Sequence, residues 1–288
     1  MNEHTPRPSR RLLRWWIAIS AGIALVAVVA VVVFLLAFRD TTTPLTPEDV
    51  LATSETTSPA EVEAPAPTSS TEAEAPAPTA TSVPEPTAPG APGLYVYATE
   101  GFEEIDALTG ARHDYPPETF ITLGAGGCGI IVRWDALDER WSEQDLCEGS
   151  DGLTLSALSS YHEFFGQPDL QEYACTEPGP VLPADPDRPA WSFECSTGEK
   201  TESYSGEIVG LEALTIGGEE VEALHVRVVT TLSGTTTGRG QTDTWWLPGT
   251  ALVLQETAQR QSTTGSPIGD VNYEEQYELR LTSLLPSG

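Results

Sequence analysis

The chain has 288 residues, with 43 acidic against 14 basic side chains and a formal net charge of −29. A field of that sign repels nucleic acid and anionic lipid headgroups, so neither is expected as a partner. The composition is uneven along the sequence and divides it into four segments.

Residues 1–14 form a basic tail with Arg7, Arg10, Arg11 and Arg14. Trp15 to Phe38 follows, 24 residues without a charge. As a helix it would be roughly 36 Å long, enough to cross a hydrocarbon core of about 30 Å. The run ends Ala37-Phe38-Arg39-Asp40, which offers no small-residue cleavage site, and the first cysteine is Cys128. An uncleaved signal-anchor over 15–38 is therefore expected. The arginines ahead of it place the N-terminus in the cytoplasm and the rest of the chain outside, in a single-pass cell-membrane protein. Trp15 and Trp16 sit where interfacial aromatics belong. Ala18 and Gly22 make one small-xxx-small pair, a spacing that an Ala/Val-rich helix also contains by chance.

Residues 39–93 are almost wholly Pro, Thr, Ala, Ser, Glu and Val, and no Lys or Arg follows Arg39 there. Such a segment cannot bury enough apolar surface to offset the entropy of ordering, so a disordered, extended linker is expected. At polyproline II spacing its reach is up to roughly 160 Å.

From Leu94 to Gly288 the pattern is that of a folded all-β domain. The stretches LYVYAT, TFITLG, GIIVRWDA, LTLSALSSYHEFF, EIVGLEAL, VEALHVRVVTTL, TDTWWL, LVLQETAQ and VNYEEQYELRLTSL read as strands, with Gly- and Pro-bearing turns between them. In the last, Val271, Tyr273, Tyr277, Leu279 and Leu281 share one face, and Asn272, Glu274, Gln276, Glu278 and Arg280 share the other. Leu224, Val226, Val228 and Leu232 likewise point one way, with Ala223, His225 and Arg227 opposite. Alternation of this kind predicts an antiparallel sheet with one solvated face.

Four cysteines on the oxidising side of a membrane predict two disulfides. Of the three pairings, the sequential one, Cys128–Cys147 and Cys175–Cys195, is the one expected, each bridge closing a loop of about 20 residues worth roughly 3 kcal/mol. Strict pairing about Cys128–Cys147 would set Ile130 against Asp145 and Val132 against Glu143, so a bulge or an offset is expected there. No C-x-x-C or H-x-x-x-H spacing suggests zinc.

Catalytic signatures are missing: the sequence holds no G-x-S-x-G, H-E-x-x-H or G-x-x-x-x-G-K-[ST]. Gly198-Glu199-Lys200-Thr201 lacks the first glycine of a phosphate loop and reads as a polar turn. Acidic groups such as Asp185/Asp187 and Glu219/Glu220/Glu222 stand outside any EF-hand pattern. His225 reads as a solvated surface histidine beside Arg227, and His113 as part of a turn before Pro116-Pro117. His162 adjoins Glu163, but neighbours in a strand face opposite ways. Glu275 is placed by alternation between Tyr273 and Tyr277 on the apolar face. If that face is interior, burial raises its pKa and it hydrogen-bonds a ligand or a tyrosine hydroxyl; a bulge or strand end would return it to solvent. No catalytic residue, metal or cofactor is expected.

The stretch TDTWWL, the turn PGT, then ALVLQETAQ and VNYEEQYELRLTSL resembles the end of the LolA-like half-barrel fold, over about residues 200–284. That fold includes periplasmic lipoprotein carriers and mycobacterial-type envelope lipoproteins. YATEGFEEIDALTGARHDYP and TLGAGGCGIIVRW, with the later ERW and LC, are similar to membrane-anchored extracytoplasmic proteins of high-GC Gram-positive bacteria. The resemblance implies a curved antiparallel sheet, or half-barrel, whose apolar concave face holds acyl chains. The expected function is a non-enzymatic envelope module that binds a lipid or other amphiphile. Its expected contacts are Tyr161, Phe164, Phe165, Trp245, Trp246, Tyr273, Tyr277 and Glu275. The alternative is a structural or protein-interaction ectodomain in which these aromatics are core and the partner is an envelope protein.

Overall fold

Alternation of inward apolar and outward polar residues carries thirteen strands in the computed structural model, which describes residues 45–46, 88–266 and 269–287. They are β1 (Gly93–Ile105), β2 (Ala111–Asp114), β3 (Glu118–Ala125), β4 (Gly129–Leu137), β5 (Arg140–Gly149), β6 (Gly152–Phe164), β7 (Gln167–Pro183), β8 (Trp191–Ser196), β9 (Lys200–Ile216), β10 (Glu219–Gly234), β11 (Thr236–Trp246), β12 (Val253–Ser266) and β13 (Gly269–Leu281). The basic tail, the 15–38 run and most of the 39–93 linker lie outside the described residues. Among the described residues no helix is long and apolar enough to cross a membrane.

The sheet is antiparallel in the sequential order β3 to β13, with β1 joining its two ends through β3 and β13. The result is a closed twelve-strand barrel, with β2 pairing beside the second half of β1. The expected half-barrel is thus corrected to a full turn. The physical reason is the length of β1, a single 13-residue strand whose Tyr97–Ile105 pairs with β13 while Gly93–Ala98 pairs with β3. Closure removes both sheet edges.

Both disulfides follow the sequential pairing, with sequence separations of 19 and 20. Cys175 and Cys195 are direct cross-strand partners. At the other bridge the register is offset by one, with Gly129 opposite Cys147. The offset sets Ile130 against Leu146 and Arg133 against Glu143, while Ile131 takes the place opposite Asp145.

The linker segment contains two described pieces. Ala88–Pro92 leads into β1, and Leu45, like Val96, packs against the pair Leu94 and Phe120. Leu94 and Phe120 are respectively 1% and 5% exposed, so Leu45 helps to cover an apolar patch at the β1/β3 pair.

Candidate functional site: the barrel lumen

The register of successive strands lays inward-facing residues out as belts. One belt runs Phe193, Tyr204, Thr230, Gly240, Arg260, Glu275, Glu103 and His113, each directly opposite the next on the neighbouring strand. Gly240 leaves its neighbour room: a Cβ there would meet Arg260 Cγ at 3.0 Å. Below it, Val228, Thr242, Ala258, Tyr277 and Gly101 form a second belt.

Glu103 and Glu275 are therefore two carboxylates facing each other across β1 and β13, both inside the barrel and 0–1% exposed. Like charges at directly opposed positions destabilise a sheet. Arg140, at the start of β5, offsets this repulsion. Its Nε and Nη2 lie 2.9 and 2.8 Å from Glu275 Oε1, and its Nε lies 3.7 Å from Glu103 Oε2. The Tyr115 hydroxyl donates to Glu275 Oε1 at 2.7 Å. Glu103 binds His113 Nδ1 at 2.9 Å and His162 Nδ1 at 2.6 Å, and accepts from the Tyr273 hydroxyl at 3.1 Å. Phe164 stacks on His113 with 4.5 Å between ring centroids.

Burial alone would raise the pKa of Glu103, but His162, His113 and Arg140 overcome it and hold the carboxyl at about 2. Burial also pushes Glu275 upward, and Arg140 and Arg260 overcome it. Two expectations are corrected here. Glu275 does not return to solvent, and its pKa moves down rather than up, because a guanidinium from a distant strand reaches it. Glu256, inside the next belt, is pushed up by burial despite accepting from Tyr277 at 2.7 Å and Thr244 at 3.0 Å.

Beneath this network lies a cavity of about 110 Å³. Its apolar wall includes Trp134, Phe193, Val226, Val228, Trp246 and Leu279, and its polar lining includes Arg140, Arg260, Thr242 and Glu256. Arg260 lines the same cavity, and its side chain keeps 37% of its accessibility.

The expected contact residues divide. Trp246 and Tyr277 line the cavity, while Tyr273 and Glu275 belong to the network above it. Phe164 caps that network. Tyr161 and Trp245 are on the outer wall, where Tyr161 stacks on Trp141 and donates to Glu163. Phe165 falls in the β6–β7 turn with a φ of 56°. These last three are corrected as lumen contacts; alternation at β6 and β11 turns Tyr161 and Trp245 outward, and a left-handed turn holds Phe165. Trp245 instead covers His225 at 4.1 Å between centroids, and His225 binds Glu212 and Asp243, each at 2.8 Å. His225 is consequently 5% exposed and not the solvated residue expected from its outward phase. Arg140, Glu103, Arg260 and Glu256 carry the site's charge and were not singled out in the sequence. The inward phase of β13 that marks Glu275 would have marked Glu103, had the β1–β13 pairing been known.

No family model matches the chain, and no curated protein matches it. Among solved structures it is similar to the hypothetical lipoprotein YmcC of Escherichia coli K12, at 15% identity and a TM-score of 0.28, covering 65% of this chain and 87% of that one. It is also similar to a lipoprotein candidate of Parabacteroides distasonis, at 11% identity and a TM-score of 0.29, covering 68% of this chain and 96% of that one.

Proposed function

We propose that the chain is a non-enzymatic, extracytoplasmic binding module that holds a compact amphiphile in the lumen of its barrel and presents it at the membrane. The observation that carries this reading is the 110 Å³ lumen cavity, whose aromatic and aliphatic wall is interrupted by two guanidinium groups. Apolar walls with a few placed polar groups are the general form of small-molecule sites. The size narrows the ligand. Pockets for drug-sized molecules occupy about 300–1,000 Å³, and an apolar cavity of about 150 Å³ holds benzene. An acyl chain of lipid length does not fit, so the lipid carriage implied by the half-barrel resemblance is narrowed to smaller molecules.

Two disulfides support the oxidising side of a membrane. A non-enzymatic role is supported by the state of the carboxylates: Glu103 and Glu275 are sealed from solvent and engaged by fixed partners. The second reading, an interaction ectodomain with a filled core, draws on the same small volume. Native mass spectrometry of the full chain, taken from its envelope in mild detergent, separates them. A retained adduct smaller than a phospholipid supports lumen binding. A bare chain supports the interaction module, and a stoichiometric phospholipid defeats both.

A further inference from the structure

The lumen is provided with hydrogen-bond donors that have nothing to bind. Arg140 Nη1 and Trp246 Nε1 are buried and make no hydrogen bond among the described residues, and both side chains line the cavity. Arg140 and Trp246 are respectively 1% and 5% exposed, so bulk water does not satisfy them. Arg260 also lines the cavity and makes no hydrogen bond among the described residues; its ion-pair contact, Nε to Glu275 Oε2, is 4.0 Å long.

The acceptors around the same space are largely committed. Glu103 accepts through both oxygens. Glu275 Oε1 is shared by Tyr115 and Arg140. Glu256 takes Tyr277 on one oxygen and Thr244 on the other, and Glu202 Oε2 accepts from Tyr204. Beside this space Glu275 Oε2 makes no hydrogen bond among the described residues, and it faces Arg260 at 4.0 Å. Burying an N–H without a partner is costly, and native interiors satisfy nearly all such groups. Two sealed donors, with the partly exposed Arg260 guanidinium beside them, thus favour an occupant that brings acceptors.

The shape of the wall adds the second half of the argument. Val226, Val228, Val253 and Leu279 give the occupant an apolar flank, and Trp134 and Phe193 give it aromatic faces. Resting on the lumen-binding reading above, we infer that the ligand is a short-chain monocarboxylate, its carboxylate received by Arg260 with Arg140 Nη1 or Trp246 Nε1, its few carbons against the valines. Guanidinium groups match a planar carboxylate in fork geometry, and the cavity volume limits the chain to a few carbons.

The test uses the full chain in nanodiscs titrated with sodium butyrate and, separately, with 1-butanol, followed by isothermal calorimetry and tryptophan fluorescence. Butyrate is expected to bind at least tenfold more tightly than butanol. Arg260→Gln and Trp246→Phe are each expected to weaken butyrate several-fold and butanol much less. The phenylalanine variant keeps the ring and removes the N–H alone, so it stays informative if the arginine variant fails to fold. Equal affinity for the two probes overturns the carboxylate inference while leaving lumen binding intact. Binding of neither probe overturns the carboxylate inference, and an adduct-free native mass spectrum beside it overturns lumen binding as well. Butyrate binding insensitive to both variants places the site elsewhere and overturns the inference.

Discussion

Replacing Arg140 by Met removes the cation between two opposed carboxylates while keeping an unbranched side chain of similar reach. Arg140 contacts Glu275 Oε1 at 2.9 and 2.8 Å and lies 3.7 Å from Glu103. All three residues are buried. Breaking such a group by removing one partner costs about 3–5 kcal/mol, because the remaining charges stay buried without compensation. For a domain of this size each kcal/mol lowers Tm by about 2–4 °C, so the expected loss is about 6–20 °C. The pH dependence supplies the sign. Glu103 titrates at about 2 in the folded chain, below its ordinary 4.5. Its contribution, about 3 kcal/mol by linkage, is therefore fully present above pH 4.5 and lost as pH falls through 2. Without Arg140 both carboxyls move up toward protonation. The deficit of Arg140→Met relative to wild type should be largest above pH 5 and should shrink as the pH falls and the carboxyls are neutralised. Urea denaturation between pH 3 and 8 with the disulfides intact measures it. A deficit below about 1 kcal/mol at neutral pH, or one that does not change with pH, would refute a buried charge network.

Gly101→Ala places a Cβ 2.3 Å from the Gln276 carbonyl oxygen and 2.6 Å from Tyr277 Cα at a φ of +148°. Both neighbours are backbone and cannot yield, so a loss of about 2–3 kcal/mol is expected in the same denaturation assay. Leu45→Asp uncovers the patch formed by Leu94 and Phe120. A loss of about 1–2 kcal/mol is expected, with faster amide hydrogen exchange in the first turns of β1 and in β3; unchanged exchange there would mean that Leu45 contributes nothing to the barrel.

Much of the barrel was legible because its strands are half-buried. Where one face is solvated, as in β13, the period of two names the interior residues directly. The phase of β13 held down to Leu279 and Leu281, which are 1% and 2% exposed. Strands β2, β5, β7 and β8 are not among the stretches read as strands because they carry weak patterns: β2 has four residues, and β7 contains four prolines, with Pro168 near its start. Closure was not legible. It depends on β1 meeting β13 from the opposite end of the domain, a pairing that no local pattern encodes. For the same reason alternation could place Glu275 inside but could not supply Arg140 as its partner, so the direction of its pKa shift came out reversed. His225 shows the complementary failure. Its outward phase was read correctly, but Trp245, on the adjacent strand, folds over it and buries it.

The occupancy of the lumen is tested most directly by diffraction from crystals of the chain soaked in methylselenoacetate, an unreactive isostere of butyrate, recorded at the selenium absorption edge. The account predicts one anomalous peak inside the barrel, beside the valine wall, with the carboxylate directed at Arg260. Selenium found only on the outer wall, or a lumen holding nothing but water, would contradict it.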